Sequence, residues 1–166
     1  MIIVLRLLAE CALGIVIALL CRRFFFAFLF VKGNSMLDTL KNRDLLFMLR
    51  YGLLAKPHRF DIVICRYPNR KPLFVKRIIA LPGERISIED GCVFINGEAL
   101  DECFARRKSM GSFAEIQLGN GEYFVMGDNR PSSVDSRRVG PISEKMLLGR
   151  AVCRIFPLKS RCKFHP

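Results

Sequence analysis

The chain has 166 residues, which is enough for one domain and an anchor but too few for a second large domain. Its formal net charge of +12 is compatible with nucleic acid, an anionic membrane surface or acidic ligands as partners. The basic residues come with neither interleaved aromatic residues nor zinc-finger spacing, so the composition argues against nucleic acid and favours anionic lipid.

The first 22 residues predict a membrane anchor. Ile2 to Cys21 is apolar except for Arg6 and Glu10, which are spaced to pair on one helix face, and twenty helical residues span about 30 Å of hydrocarbon. A cleaved signal peptide would need small residues after the apolar run, but leucines, a cysteine and two arginines follow. A buried core helix would need more chain around it. Residues 23–166 are then the domain that follows the anchor.

The charges around this helix conflict with the localisation proposed below. Arg22, Arg23 and Lys32 follow the helix, whereas only Arg6 and the α-amino group precede it. The positive-inside rule would leave the following domain in the cytoplasm.

An aromatic segment, Phe24–Val31, follows the anchor. Its eight apolar residues include five phenylalanines, which does not fit a strand with one solvated face. We expect it to be buried on both faces or to dip into lipid beside the anchor.

The remaining sequence predicts a mainly β fold, namely a folded antiparallel sheet or barrel. Short apolar runs recur at close spacing, and turn signals such as Asp90-Gly91 and Asn96-Gly97 separate them. The runs that we interpret as strands are 44–49, 61–65, 73–79, 85–88, 92–95, 123–126 and 146–156.

The seven cysteines are irregularly spaced and none forms a C-x-x-C pair. This pattern indicates neither a disulfide framework nor a zinc site, and we interpret the cysteines as small apolar filler. One disulfide between distant cysteines remains an alternative in an oxidising compartment. Asp128 beside Asn129 lacks the partners of a metal site, so we expect no metal and no cofactor.

Three motifs in order carry a family resemblance. Residues 33–40 (GNSMLDTL) resemble the serine box of type I signal peptidases, residues 75–84 (VKRIIALPGE) resemble their lysine box, and residues 127–137 (GDNRPSSVDSR) are similar to their last box. Arg66-Tyr67-Pro68 also matches a common run. The resemblance covers nearly the whole chain, and the length is similar to that of the short bacterial members.

The resemblance implies a serine–lysine catalytic pair. Ser35 would be the nucleophile and neutral Lys76 the general base. Ser133 matches the residue that orients the lysine amine, and Asp135 and Arg137 match a structural ion pair on one face of a strand. The pKa of the lysine would have to fall by about 2–3 units, which burial among apolar neighbours can cause.

The resemblance also suggests how substrate binds. Met36 matches a residue that lines the pocket for the side chain before the cut, and we add Phe74 and Val75 as substrate contacts. Some relatives place an oxyanion-binding hydroxyl where Gly33 stands, so the backbone N–H of Ser35 is the expected donor here. Substrate would bind extended along a sheet edge, with shallow pockets that favour small residues.

The function implied is a single-pass cell-membrane endopeptidase that cuts signal peptides from preproteins after Ala-x-Ala-like sites, on the extracytoplasmic side. A related maturation or self-cleaving serine–lysine protease and a catalytically silent membrane-surface binding protein are alternatives. Two positions depart from the family pattern: Asp38 replaces the usual proline, and Phe60 replaces a common glycine.

Overall fold

A long N-terminal helix stands apart from a β domain. The computed structural model describes residues 2–52, 56–68, 70–105, 111–157 and 162–163. Helix α1 (Ile2–Phe24) carries an ion pair between Arg6 and Glu10 at 3.0 Å. Its Ile3–Phe24 portion has a mean hydropathy of 2.5 and no buried residue, so by length and composition this helix could span a membrane.

The described domain contains twelve strands and three short helical segments. The strands are β1 (Phe26–Phe30), β2 (Leu45–Arg50), β3 (Ile62–Cys65), β4 (Phe74–Ala80), β5 (Arg85–Glu89), β6 (Cys92–Ile95), β7 (Glu98–Ala99), β8 (Phe113–Gln117), β9 (Glu122–Met126), β10 (Ile142–Ser143), β11 (Leu147–Phe156) and β12 (Cys162–Lys163). Helix α2 (Ser136–Val139) and single 3₁₀ turns at Arg130–Ser132 and Glu144–Met146 complete the described structure.

The strands form two antiparallel sheets. The larger has the order β1-β2-β11-β3-β4-β9-β10, with β12 paired to β11, and the smaller has the order β7-β6-β5-β8. Bulges interrupt β11, which links the two halves of the large sheet. Gly149 lies where β11 approaches β2 so closely that a Cβ would be 2.2 Å from the carbonyl oxygen of Leu49. The expected mainly β, antiparallel fold is confirmed.

Both turns expected from the Asp-Gly and Asn-Gly pairs are hairpin turns of the small sheet. Asp90 and Gly91 join β5 to β6 with φ of 47° and 79°, and Asn96 and Gly97 join β6 to β7 with φ of 52° and 85°. Two consecutive positive φ values are what a two-residue turn needs to match the strand twist.

Three apolar clusters hold these layers together. One lies between the small sheet and the β4–β9 pair and includes Ile86, Ile88 and Phe124. Another packs the segment after β1 onto β2 and β3, with Met36 and Leu40 at 1% and 0% exposure. The third covers the opposite face of the large sheet and consists of Val63, Cys65, Tyr67, Ile78, Tyr123, Val125, Ile142 and Leu147.

The aromatic segment after the anchor forms edge strand β1. Phe28 and Phe30 are 53% and 68% exposed, so burial on both faces is wrong. Only Phe25 separates α1 from β1: its N–H donates to Cys21 O at 2.9 Å, and its carbonyl accepts from Arg50 N at 2.8 Å. Because both sides of this residue are hydrogen-bonded, the helix joins the sheet without a flexible linker.

Candidate active site

Ser35 lies in a helical turn between β1 and β2. Gly33 opens the turn with φ of 99°, a conformation that favours glycine, and Leu40 N closes it by donating to Met36 O at 2.6 Å. Met36 and Leu40 bury their side chains beneath the turn. Ser35 stays half-buried, and its backbone N–H donates to no partner in the described part of the chain.

The segment after β9 packs directly against this turn. Asn129 N donates to Ser35 O at 3.0 Å, and Asn129 Nδ2 donates to Asn34 O at 3.0 Å. A Cβ on Gly127 would lie 2.3 Å from Ser133 Oγ and 2.5 Å from Ser35 O. Glycine is therefore required at 127 by the close approach of Ser35 and Ser133, so the first and last motifs meet here.

Lys76 is buried in the middle of β4, opposite Val63 of β3, and is 1% exposed. Its Nζ donates to Ser133 Oγ at 2.8 Å. Burial lowers the pKa of the Lys76 amine from 10.5 to about 8, and the charge of Asp135 only partly opposes this effect. A fraction of the Lys76 amines is therefore neutral near pH 7 and able to accept a proton. Ser35 Oγ and Lys76 Nζ share no hydrogen bond within the described residues.

Ser133 connects Lys76 to a buried ion pair. Its hydroxyl also bonds the carboxylate of Asp135, which receives Arg137 Nε and Nη2 at 2.8 Å each and Gly127 N at 3.0 Å. Burial alone would raise the pKa of Asp135, but these hydrogen bonds and the Arg137 charge outweigh it and the pKa falls. The pairing expected on one strand face instead occurs at α2, where Asp135 caps the helix and also accepts from Arg137 N.

A cavity of about 140 Å³ opens beside Ser35, between the serine turn and the start of β4. Strand β3 pairs with β4 over Phe74 to Arg77, whereas β9 pairs with it only from Arg77 to Ala80. Among the described strands the β9-side edge of β4 is thus open before Arg77. The cavity is lined by Val31, Lys32, Gly33, Ser35, Met36, Pro72, Leu73, Phe74 and Val75, which include every residue expected to contact substrate.

No cluster of three or more His, Cys, Asp or Glu side chains that could hold a metal occurs within the described ranges.

The family model for signal peptidase, peptidase S26, matches residues 4–156. The chain belongs to this family. It is 34% identical to signal peptidase I T of Bacillus subtilis (strain 168), over 87% of this chain and 81% of that protein. Signal peptidase I of Bacillus licheniformis is 35% identical over 87% of this chain and 84% of its own length. The resemblance of the three motifs to type I signal peptidases is thereby confirmed.

Similarity to a solved structure supports the same fold. A crystal structure of a signal peptidase I from Enterococcus faecalis V583 is 33% identical, with a TM-score of 0.50, and the match covers 58% of this chain and 97% of that one.

In this member of the peptidase S26 family, a second buried ion pair joins the serine turn to β4, and the sequence reasoning missed it. Arg77 is on the strand face opposite Lys76, and its guanidinium donates to Asp128 at 2.9 and 2.7 Å. Thr39 of the serine turn donates to the same carboxylate at 2.5 Å. The arginine also lies 4.1 Å from the ring centre of Phe104. Asp128 therefore links motifs that are far apart in sequence.

The two departures from the family pattern lie beside this network. Phe60 has φ of 68°, in the region that favours glycine; its carbonyl accepts from Arg77 Nη1 at 2.9 Å and its ring packs on Phe104 at 5.2 Å. Asp38 is half-buried, and its Oδ2 is buried with no hydrogen-bond partner in the described structure.

Proposed function

We propose that this chain is a membrane-held serine endopeptidase that cuts signal peptides from exported preproteins after small residues. The observation that carries the proposal is the buried Lys76 amine with a pKa of about 8, hydrogen-bonded to Ser133 against the serine turn. Lysine in water is charged at neutral pH, so an amine placed in this way favours proton abstraction over a structural charge.

Ser35 is the nucleophile in this proposal, and Lys76 removes its proton. With a pKa of about 8, roughly one amine in ten is neutral at pH 7. A neutral amine that donates one hydrogen to Ser133 keeps a lone pair for the serine hydroxyl. The unformed Ser35–Lys76 hydrogen bond does not argue against this role, because such bonds often tighten only when substrate is bound.

The later steps use the same groups. Attack by Ser35 Oγ on the scissile carbonyl gives a tetrahedral oxyanion, which the N–H of Ser35, unpaired among the described residues, can stabilise. The Lys76 ammonium then returns its proton to the leaving amine as the C–N bond breaks. Water, activated by the neutral amine, hydrolyses the ester on Ser35 and releases the signal peptide.

Substrate extends the large sheet along the open edge of β4. Met36, Phe74 and Val75 border the cavity beside Ser35 and would contact the side chain before the cut. The preference for a small residue there is part of the proposal and rests on the family to which the chain belongs. We further propose residues 1–22 as the anchor and residues 23–166 as the peptidase domain.

The catalytic domain is placed outside the cytoplasm in this proposal, with anionic lipid against its basic surface. Exported preproteins reach a peptidase there, and the exposed Phe28 and Phe30 follow directly on the anchor. The charge count around α1 favours the opposite side, so orientation needs its own experiment. Protease added to intact cells should digest the domain; protection until the cells are lysed would contradict this orientation.

The activity test is cleavage of a preprotein with an Ala-x-Ala site by the full-length chain in detergent. Wild type should cut after the second alanine, and Ser35→Ala and Lys76→Ala should be inactive. Ser132→Ala and Lys145→Ala, both at exposed positions, are matched controls and should retain activity. Cleavage by Ser35→Ala would exclude the mechanism. Binding of signal peptide without turnover by wild type would favour a silent binder, and a single cut within the chain itself would favour a self-cleaving protease.

A further inference from the structure

A second cavity, of about 300 Å³, includes Ser133 in its wall and shares no lining residue with the cavity beside Ser35. Three arginines line it together with apolar side chains. The residues that matter for its chemistry are Ile88, Phe113, Arg130, Ser133, Arg137 and Arg138.

Two of the three arginines are already neutralised. Arg130 is 1% exposed at its side chain and forms a bidentate ion pair with Glu102, with one bond of 2.8 Å. Arg137 binds both carboxylate oxygens of Asp135. Arg138 is exposed, and within the described ranges no acidic side chain forms an ion pair with it. Among the described residues the cavity therefore carries one uncompensated positive charge, that of Arg138, beside apolar side chains.

The direction of the substrate follows from the proposed function, on which this inference rests. The residues before the cut occupy the cavity beside Ser35, and Lys76 must reach the leaving nitrogen to return its proton. Lys76 Nζ is 2.8 Å from Ser133 Oγ, so the chain after the cut emerges next to Ser133. Ser133 lines the arginine-bearing cavity, which is thus the first concave surface that the mature part of the substrate meets.

We propose that this cavity is a subsite for an acidic side chain within the first three residues after the cut, and that Arg138 determines the preference. The carboxylate of a glutamate or aspartate would pair with the Arg138 guanidinium, while its methylene groups pack on the partly buried Phe113. A lysine or arginine at the same substrate position would be repelled. The cavity thereby extends recognition from the signal peptide into the mature protein.

The test varies charge on both partners. Preproteins with one signal peptide and one Ala-x-Ala site carry Glu, Gln or Lys at the first, second or third position after the cut. Each is cleaved by full-length wild type, Arg138→Gln and Arg138→Glu. Arg85→Glu is the matched control, because Arg85 is a half-exposed arginine of the small sheet that lines neither cavity.

Wild type should prefer Glu over Lys at one of the three positions by about two- to fivefold in kcat/KM, the range expected for an exposed charge pair. The preference should disappear in Arg138→Gln, reverse in Arg138→Glu and persist in Arg85→Glu. Equal rates for Glu and Lys in wild type, or a preference unchanged by Arg138→Glu, would overturn the subsite alone. Failure of wild type to cut any of the preproteins would instead overturn the proposed function and the subsite with it.

Discussion

Replacing Lys76 with methionine tests whether burial is what makes its amine a base. The side chain is 1% exposed, and its pKa is about 8 instead of 10.5. That difference corresponds to roughly 3 kcal/mol of unfolding free energy, which the wild type loses at pH 7 by keeping this amine in the folded interior. Methionine has a similar shape and no charge, but it leaves Ser133 without its donor, which costs about 1 kcal/mol. We expect Lys76→Met to be about 2 kcal/mol more stable at pH 7.

The pH dependence gives the sharper test. Below pH 8 the amine is protonated in both states and the wild type bears the full penalty. Between pH 8 and 10.5 the unfolded chain binds a proton that the folded chain has lost, so wild-type stability rises with pH relative to the variant. The advantage of Lys76→Met should therefore shrink over this window, and above it the wild type should be the more stable by about 1 kcal/mol, because only the lost hydrogen bond to Ser133 remains. The measurement is urea unfolding of the full-length chain in detergent at several pH values.

Lys145→Met is the control, because this lysine is exposed and its replacement should produce no such trend. A difference between wild type and Lys76→Met that stays constant from pH 7 to 10.5 would refute the argument that burial lowers the pKa of Lys76. A variant that is less stable than wild type at pH 7 would show that the Ser133 hydrogen bond outweighs the burial penalty.

Three further predictions concern the surroundings of the amine. The kcat/KM of the wild type should rise with pH through an apparent pKa of about 8. Ser133→Ala should lower kcat/KM about 10²-fold and shift this rise to lower pH, because the Lys76 ammonium loses its hydrogen-bond acceptor. A rise at the wild-type pH in Ser133→Ala would refute the role of Ser133 as that acceptor. Gly127→Ala should abolish cleavage, because its Cβ would lie within 2.5 Å of Ser35 O and Ser133 Oγ. Gly119→Ala is the control and should be tolerated, since only the flexible side chain of Glu122 lies near that position. Cleavage at the wild-type rate by Gly127→Ala would contradict the close packing of the serine turn against Gly127. Asp135→Asn should lower the free energy of unfolding at pH 7 by about 3–5 kcal/mol, measured in urea, because the charge of Arg137 loses its counter-charge. This difference from wild type should disappear as the pH falls through the lowered pKa of Asp135. A difference that persists in acid would rule out the Asp135 charge as its cause.

The parts of the fold that local sequence determines could be predicted. Short apolar runs flanked by turn residues marked β2, β3, β4, β5, β6, β9 and β11, and the Asp-Gly and Asn-Gly pairs marked two hairpins. Strand β8 was missed because Phe113–Gln117 contains alanine, glutamate and glutamine, and its pairing with β5 supplies what its composition lacks. Helix α2 was missed because four residues are too few for a periodic pattern; its cap, Asp135, is held by tertiary contacts.

The members of the candidate site could be proposed from the motifs, but the connections between them could not. The Gly127 contact with the serine turn and the Thr39–Asp128 bond join residues about 90 positions apart. No local pattern encodes such contacts. The one available signal for Arg77 was alternation along β4, which placed it opposite Lys76 without indicating its partner.

The two basic neighbours on β4 show how the domain lowers the pKa of one amine among many charges. Arg77 binds the Asp128 carboxylate directly through two hydrogen bonds, so its charge is compensated by an ion pair. In the described part of the chain no carboxylate bonds Lys76 directly: Asp135 connects to it through the Ser133 hydroxyl, while Arg137 binds both oxygens of that carboxylate. If Arg137 were absent, Asp135 could pair with the lysine and hold it protonated. The ion pair therefore does more than brace the last motif, because it keeps the Asp135 carboxylate from pairing directly with the lysine, and such a pairing would raise the pKa of the amine.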